Sequence, residues 1–219
     1  MVLPDLSEEK SLWQKGITNI VGIDEVGRGS WAGPLVAAGV VLPPNFIIPK
    51  YLADSKLLTY QKRLELDKIL RKGASAFCIT EVSHRVINKV GIGKATQIAF
   101  RKIVNSITPR PQYCLVDAFH IRYLAKIKQK AIKHGDMTCA SIAAASIIAK
   151  VYRDNLMEKM SLKFPNYGFE KHKGYGTKEH QTAIQTYGFS TYHRTSYNLN
   201  FLKTGKKVGN QAKRSGEIT

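Results

Sequence analysis

A chain of 219 residues with 43% hydrophobic content can bury a full core, as one large domain or one domain with an appended subdomain. Lysine and arginine number 34 against 16 aspartates and glutamates, and the resulting formal charge of +18 is spread along the whole length, which points to a polyanionic partner. No run of about 18 uncharged apolar residues occurs, "MVLPDLSEEKSLWQ" holds no apolar leader core, and Cys78, Cys114 and Cys139 stand far apart in apolar stretches, so neither a disulfide framework nor a zinc site is suggested and a soluble, cytoplasmic protein is expected.

"ITNIVGID" and "GPLVAAGVVL" read as two buried strands separated by a glycine turn, and "NFIIPKYLADSKLLT" as a long loop after them. Thr59 is placed to cap a helix "YQKRLELDKILRKG", with Leu64, Ile69 and Leu70 among its apolar positions and Gly73 as its stop. "ASAFCITEVS" reads as a third strand. Ser83 caps the next helical stretch, which resumes as "GKATQIAFRKIVNSI" and ends before Pro109. "YCLVD" is a short strand ending on Asp117, and "KAIKHGD" a weaker one ending on Asp136. "CASIAAASIIAKVYRDNLMEKM" is a long helix whose first turns are small residues, which lets its backbone lie close to a sheet.

From about residue 163 the composition turns aromatic, glycine-rich and basic, and "LKTGKKVGNQAKRSGEIT" at the end carries almost no apolar residue. The expected organisation is an N-terminal extension over 1–18, a catalytic α/β domain over 19–162, a helical substrate-binding subdomain over 163–200 and a basic, disordered tail over 201–219. Strands followed by alternating helix and strand imply a mixed sheet with helices on its faces, and in such sheets ligands gather at the carboxyl edge of the strands.

Asp24, Glu25, Asp117 and Asp136 each close a predicted strand in a chain short of acids. Carboxylates about 5 Å apart repel by roughly 3 kcal/mol per pair at an effective dielectric near 20, and nothing in the local sequence offsets this. A cation must do so. Oxygen ligands without cysteine or paired histidine favour Mg²⁺ or Mn²⁺, and two such ions are a standard device for in-line attack on a phosphodiester. Asp54 and Asp154 sit beside basic residues and are expected to be structurally paired or solvated, whereas Lys56, in a loop near the catalytic edge, is placed to contact a backbone phosphate. His172, His180 and His193 lack metal-ligand spacing and are expected to touch phosphate or solvent; Lys173 and Arg194 in the same basic stretch are further candidates for binding substrate.

Directly after the acid pair, Gly27-Arg28-Gly29 lets backbone N–H and C=O groups come within hydrogen-bond reach of a ligand. "GIDEVGRG" with "AGPLVAAGVVL", "LADSKLL", "LVD", "GD" ahead of "SIAAASIIAKVYRD", "HKGYGTKEH" and "YGFSTYHRTSY" run in one order from about residue 20 to 197. In that set the chain resembles the bacterial-type ribonuclease HII family. The resemblance implies a ribonuclease H-like fold, two-metal cleavage of the RNA strand of RNA–DNA hybrids, and cutting on the 5′ side of ribonucleotides embedded in duplex DNA, leaving 3′-hydroxyl and 5′-phosphate ends. It matches Asp24, Glu25, Asp117 and Asp136 to the family's metal-binding carboxylates, Gly27, Arg28 and Gly29 to the turn whose backbone reads the ribose 2′-hydroxyl, and Tyr175 to the tyrosine that completes that recognition.

Four positions depart from the family pattern: Ser30 and Trp31 stand where proline and a small or aliphatic residue are common, Ala118 where glycine is usual, and Gly91 where asparagine is usual. The related type HIII enzymes carry a large N-terminal extension, and only about 20 residues precede the first motif here, so type HII is preferred. A monomer is expected, and the tail holds no clear clamp-binding motif. Two rival readings are a non-catalytic basic RNA- or DNA-binding protein and another nuclease of the same fold, such as a resolvase or integrase. Clustered anions are of no use to a pure phosphate binder, and a glycine turn paired with Tyr175 has a use where a 2′-hydroxyl must be read.

Overall fold

In the computed structural model, which describes residues 3–52, 58–199 and 202, the apolar runs of the first half become neighbouring strands. β1 (Ile20–Val26) pairs antiparallel with β2 (Leu35–Val41), and β3 (Ala76–Val82) adds antiparallel to β2. On the other side of β1, β4 (Tyr113–Asp117) and then β5 (Gln129–Ile132) run parallel to it, giving the order β3-β2-β1-β4-β5. This is the mixed α/β sheet with flanking helices that the sequence predicts.

Both faces of the central strands are covered, which is why they read as continuous apolar runs rather than alternating ones. On one face lie α3 (His84–Val90) and α4 (Ile92–Ser106), whose Ile87, Phe100 and Ile103 pack on Val21, Ile23 and Val116. Each such fully buried side chain contributes about 1.5–3 kcal/mol by leaving water. The other face carries α2 (Tyr60–Gly73) and the long α6 (Ala140–Ser161). A Cβ on Gly22 of β1 would stand 2.3 Å from Ser141 Oγ, so the close approach expected of the small-residue helix is made from both sides.

Thr59 and Ser83 cap their helices as predicted, accepting from the amides of Lys62 and Val86. In α2, Leu70 is buried, but Ile69 is half-exposed and Leu66 takes its place inside. Gly91, at φ +78°, joins α3 to α4 with a backbone conformation that asparagine tolerates less well.

The N-terminal segment, expected only as an extension, forms α1 (Ser7–Trp13) and docks on the start of α6. Asp5 donates its N–H to Thr138 O and accepts at its carbonyl from Ala140 N–H. Glu9 is 1% exposed; its Oε1 accepts from Ser141 N at 2.8 Å and from Cys139 Sγ at 3.2 Å. A carboxylate there satisfies an amide of the first turn and faces the positive end of the helix dipole.

After α6, a single 3₁₀ turn leads into α7 (Phe169–His172) and α8 (Lys178–Tyr187), and these close a separate apolar cluster of Ala32, Met157, Tyr167, Phe169, Ala183 and Ile184. Among the described residues no helix is long and apolar enough to cross a membrane.

Candidate active site

The parallel register pairs Ile23 with Val116, so the next residues, Asp24 and Asp117, stand side by side at the carboxyl ends of β1 and β4. Asp24 is 6% exposed; Glu25 N–H donates to its Oδ1 at 2.7 Å and the Ser146 hydroxyl of α6 bonds its carboxyl. Asp117 Oδ1 accepts from Gly135 N at 2.8 Å. Gly135 has no room for a side chain, because a Cβ would lie 2.6 Å from Ile142 Cδ1. The acids, with Ser146, Lys150 and Tyr175, line one cleft of about 430 Å³.

Burial, and then the charges of Glu25 and Asp117, raise the Asp24 pKa well above the ordinary carboxyl value, against a smaller lowering by the Ser146 hydroxyl and the Glu25 amide. Such a set offers hard oxygen donors and clustered carboxylates, the chemistry that Mg²⁺ or Mn²⁺ requires.

The glycine turn is held from beneath by two arginines that are each fully buried. Arg153 of α6 donates from Nε to Pro34 O (3.0 Å), from Nη1 to Lys173 O (2.9 Å) and from Nη2 to Ala32 O (3.1 Å), with its guanidinium 5.5 Å from the centre of the Tyr175 ring. Arg194 donates from Nε to Gly33 O (2.9 Å) and from Nη1 to Arg28 O (3.0 Å) and the Tyr197 hydroxyl (2.9 Å). Gly27, at φ +86°, leaves space for Arg153, since a Cβ would sit 2.1 Å from its Nε. The Arg28 side chain lies over the Phe119 ring at 4.2 Å and 3.7 Å from Glu25 Oε1. Gly29 is exposed, and nothing lies within 4 Å of where its Cβ would be.

Residues 31–33 form a strap between two distant segments: Trp31 N donates to Gly174 O (2.8 Å), Gly33 N to Tyr192 O (3.0 Å), and Arg194 N to Trp31 O (2.7 Å). A Cβ on Gly174 would lie 2.7 Å from Ala32 O, and one on Gly176 would lie 2.2 Å from the Trp31 ring. The glycines flanking Tyr175 let its backbone lie against this strap.

Several expectations are corrected. The strand before Asp136 ends at Ile132, and Asp136 instead sits in the short α5 (Gly135–Thr138), entered through His134 at φ +56°. Arg194 has no surface from which to touch a phosphate directly and acts on the site through the turn it supports. Lys173 Nζ is committed to Glu158 Oε1 at 2.8 Å and to the Glu170 carbonyl. His172, His180 and His193 are buried, not solvated or on a phosphate path. Asp154 pairs with Lys150 at 2.7 Å, the structural role expected of it. Lys56, Asp54 and nearly all of the tail lie outside the described residues.

Sequence reasoning passed over Ser146, Lys150 and Arg153. The available signal was polar residues one turn apart, Ser146 and Lys150, on a helix otherwise filled with alanine and isoleucine.

Ala118 takes φ +55°, which accounts for the usual glycine at this position. An L-residue in this region costs about 1–2 kcal/mol, partly offset by the lower unfolded-state entropy of alanine. Ala118→Gly is therefore expected to stabilise the protein by about 0.5–1 kcal/mol, a rise in Tm of roughly 1–3 °C. A thermal melt showing no rise would mean that the strain is relieved elsewhere.

Acids at the carboxyl edge of a β3-β2-β1-β4-β5 sheet, facing a helix that closes their cleft, define a ribonuclease H-type hydrolase. The chain belongs to the ribonuclease HII family, whose family model, described as Ribonuclease HII, matches residues 21–200. It is 45% identical over 192 residues to the Ribonuclease HII of Desulfitobacterium hafniense, covering 88% of this chain and 73% of that one. Among solved structures it is similar to the ribonuclease HII in the PCNA:RNase HII complex from Archaeoglobus fulgidus (TM-score 0.74, 26% identity, 86% of this chain and 98% of that one). It shares its fold with Bst-RNase HIII in complex with Mn²⁺ (TM-score 0.61, 19% identity, 84% of this chain and 70% of that one).

Proposed function

We propose that this protein is a cytoplasmic, monomeric endoribonuclease that hydrolyses the RNA strand of RNA–DNA hybrids and cuts 5′ of single ribonucleotides in duplex DNA, leaving 3′-hydroxyl and 5′-phosphate ends. The observation that carries the reading is that the acids and Tyr175 line one cleft while the Gly27–Gly29 turn follows directly from its Asp24-Glu25 wall. Asp24, Glu25, Asp117 and Asp136 would hold two divalent ions, Mg²⁺ or Mn²⁺. When bound, such ions supply an activated water and charge compensation for the leaving oxygen.

The chain's own groups set what can reach them. The exposed backbone of Gly29, continuing from Gly27 and Arg28, offers hydrogen-bonding groups to a ribose hydroxyl, and Tyr175 lines the acid cleft from which that turn follows. Ser146 fixes the Asp24 carboxyl, Gly135 fixes that of Asp117, and Lys150, paired with Asp154, forms part of the cleft wall. Residues 163–200 act as the substrate-binding subdomain by carrying Tyr175.

The test is a duplex with one embedded ribonucleotide, incubated with Mg²⁺, Mn²⁺ or EDTA, with the cut mapped. A single cut 5′ of the ribonucleotide with either ion, none in EDTA and none in all-DNA duplex is expected. Comparable cleavage of the all-DNA duplex would favour another nuclease of this fold, and binding without any cut would favour a non-catalytic protein.

A further inference from the structure

Three histidines are packed against one another beneath Tyr175. His172 and His180 stack with ring centres 4.5 Å apart at 16°, and His180 Nε2 lies 3.0 Å from His193 Nε2. Phe169 meets both stacked rings edge-on, at 88° and 89°.

The surrounding backbone fixes where each proton sits. Two groups of Ser190 meet His193 Nδ1, the hydroxyl at 2.7 Å and the N–H at 2.9 Å; the N–H can only donate, so that nitrogen is an acceptor and the His193 proton is on Nε2. The Tyr175 carbonyl can only accept, and His180 Nδ1 is 3.0 Å from it, so the His180 proton is on Nδ1 and its Nε2 carries a lone pair. The bond between the two Nε2 atoms then has one direction, from His193 to His180. The result is a one-way chain: Ser190 N–H to His193, His193 to His180, His180 to the carbonyl of Tyr175. His172 is fixed likewise, accepting from Gly174 N at Nδ1 and donating from Nε2 to Tyr167 O. Burial lowers the pKa of both His180 and His193 to about 4, which keeps the chain neutral.

At its far end the chain is tied to the strap behind the glycine turn, because His193 bridges Ala32 across the backbone and Arg194 N donates to Trp31 O. An apolar core would fill the same volume but remove the imidazole donor, leaving the Tyr175 carbonyl with Thr177 N–H alone (2.8 Å) and no link to residue 193.

We propose that His193 and His180 are positioning residues for ribose recognition, linking the strap of the Gly27–Gly29 turn to the backbone of Tyr175 through a chain of opposite tautomers. The inference rests on the role given to Tyr175 above.

Two measurements on the full chain test it. Long-range ¹H–¹⁵N correlation of the imidazoles at neutral pH should show His180 protonated on Nδ1 and His193 on Nε2, both uncharged; the same tautomer at both, or a charged ring, overturns the chain. In steady-state cleavage of a duplex with one ribonucleotide, His193→Leu should lose about tenfold in kcat/KM, while His193→Gln, which keeps an N–H near Nε2, should stay within about threefold of wild type. Introduced into Tyr175→Ala, His193→Leu should cost nothing further. An equal loss in both backgrounds would mean that His193 acts elsewhere and would overturn the proposal alone. Wild-type cleavage by Tyr175→Ala would instead remove the role of Tyr175, and with it the positioning role. Should His193→Leu not fold, the tautomers of the wild-type rings and the Gln variant still decide.

Discussion

Asp24→Asn is expected to lower cleavage of a ribonucleotide-containing duplex by about 10³-fold or more, because a metal-assisted displacement draws several kcal/mol from the ions and each 1.4 kcal/mol is a factor of ten in rate. The same change is expected to stabilise the protein when EDTA is present. The Asp24 pKa is raised in the folded state, so the native state binds that proton more tightly than the unfolded chain does. Its contribution therefore favours folding below the ordinary carboxyl value and is lost as the pH rises through the raised one. Asparagine keeps an oxygen for Ser146 and the Glu25 amide yet removes the charge beside Glu25 and Asp117. With like charges about 5 Å apart repelling by roughly 3 kcal/mol, a gain on the order of 1–3 kcal/mol at pH 7 follows. Denaturant melts in EDTA from pH 4 to 8 should fall for wild type across the window in which Asp24 ionises and stay flatter for the variant. A variant that melts lower than wild type at pH 7 would show that the carboxylate holds the fold.

The two glycines of the turn are expected to fail in different ways. Gly29→Ala meets no atom of the protein and needs no left-handed backbone, so its stability should stay within about 0.5 kcal/mol of wild type. Its cleavage at an embedded ribonucleotide should nevertheless fall by about 100-fold, the scale at which a misplacement of about 1 Å is felt, since the added methyl occupies the space through which the sugar approaches. Gly27→Ala should instead unfold more easily, by about 3 kcal/mol, because its Cβ would displace a buried guanidinium from the carbonyls it pairs with and because φ +86° is strained for alanine. Melting curves and kcat/KM for both variants separate the cases. A Gly29→Ala enzyme that cuts normally would exclude a close backbone approach at that residue.

The sheet, its caps and the pair Asp24 and Asp117 are legible in the sequence because each depends on neighbours only a few residues away: a continuous apolar run, a threonine or serine ahead of a helix, an acid closing such a run. Asp136 is picked out correctly as an acid near the edge, but through a strand that stops at Ile132, since a left-handed residue such as His134 has no distinctive local pattern. The C-terminal region misleads more. "HKGYGTKEH" reads as polar and exposed, yet its His172 bonds nearby backbone, its His180 bonds His193 and the Tyr175 carbonyl, and its glycines make room for Trp31 and Ala32, about 140 residues away along the chain. Glu9 is equally opaque, as an acid in a polar segment that becomes buried only once it finds the first turn of α6.

The strap at residues 31–33 is clasped by partners at 174, 192 and 194, and this imposes an order on biosynthesis. A chain emerging from the ribosome N-terminus first has delivered Asp24, Glu25, Asp117 and Asp136 before any part of that clasp exists. A nascent chain halted before residue 174 would thus carry every acid of the cleft but none of the strap's backbone partners at 174, 192 and 194.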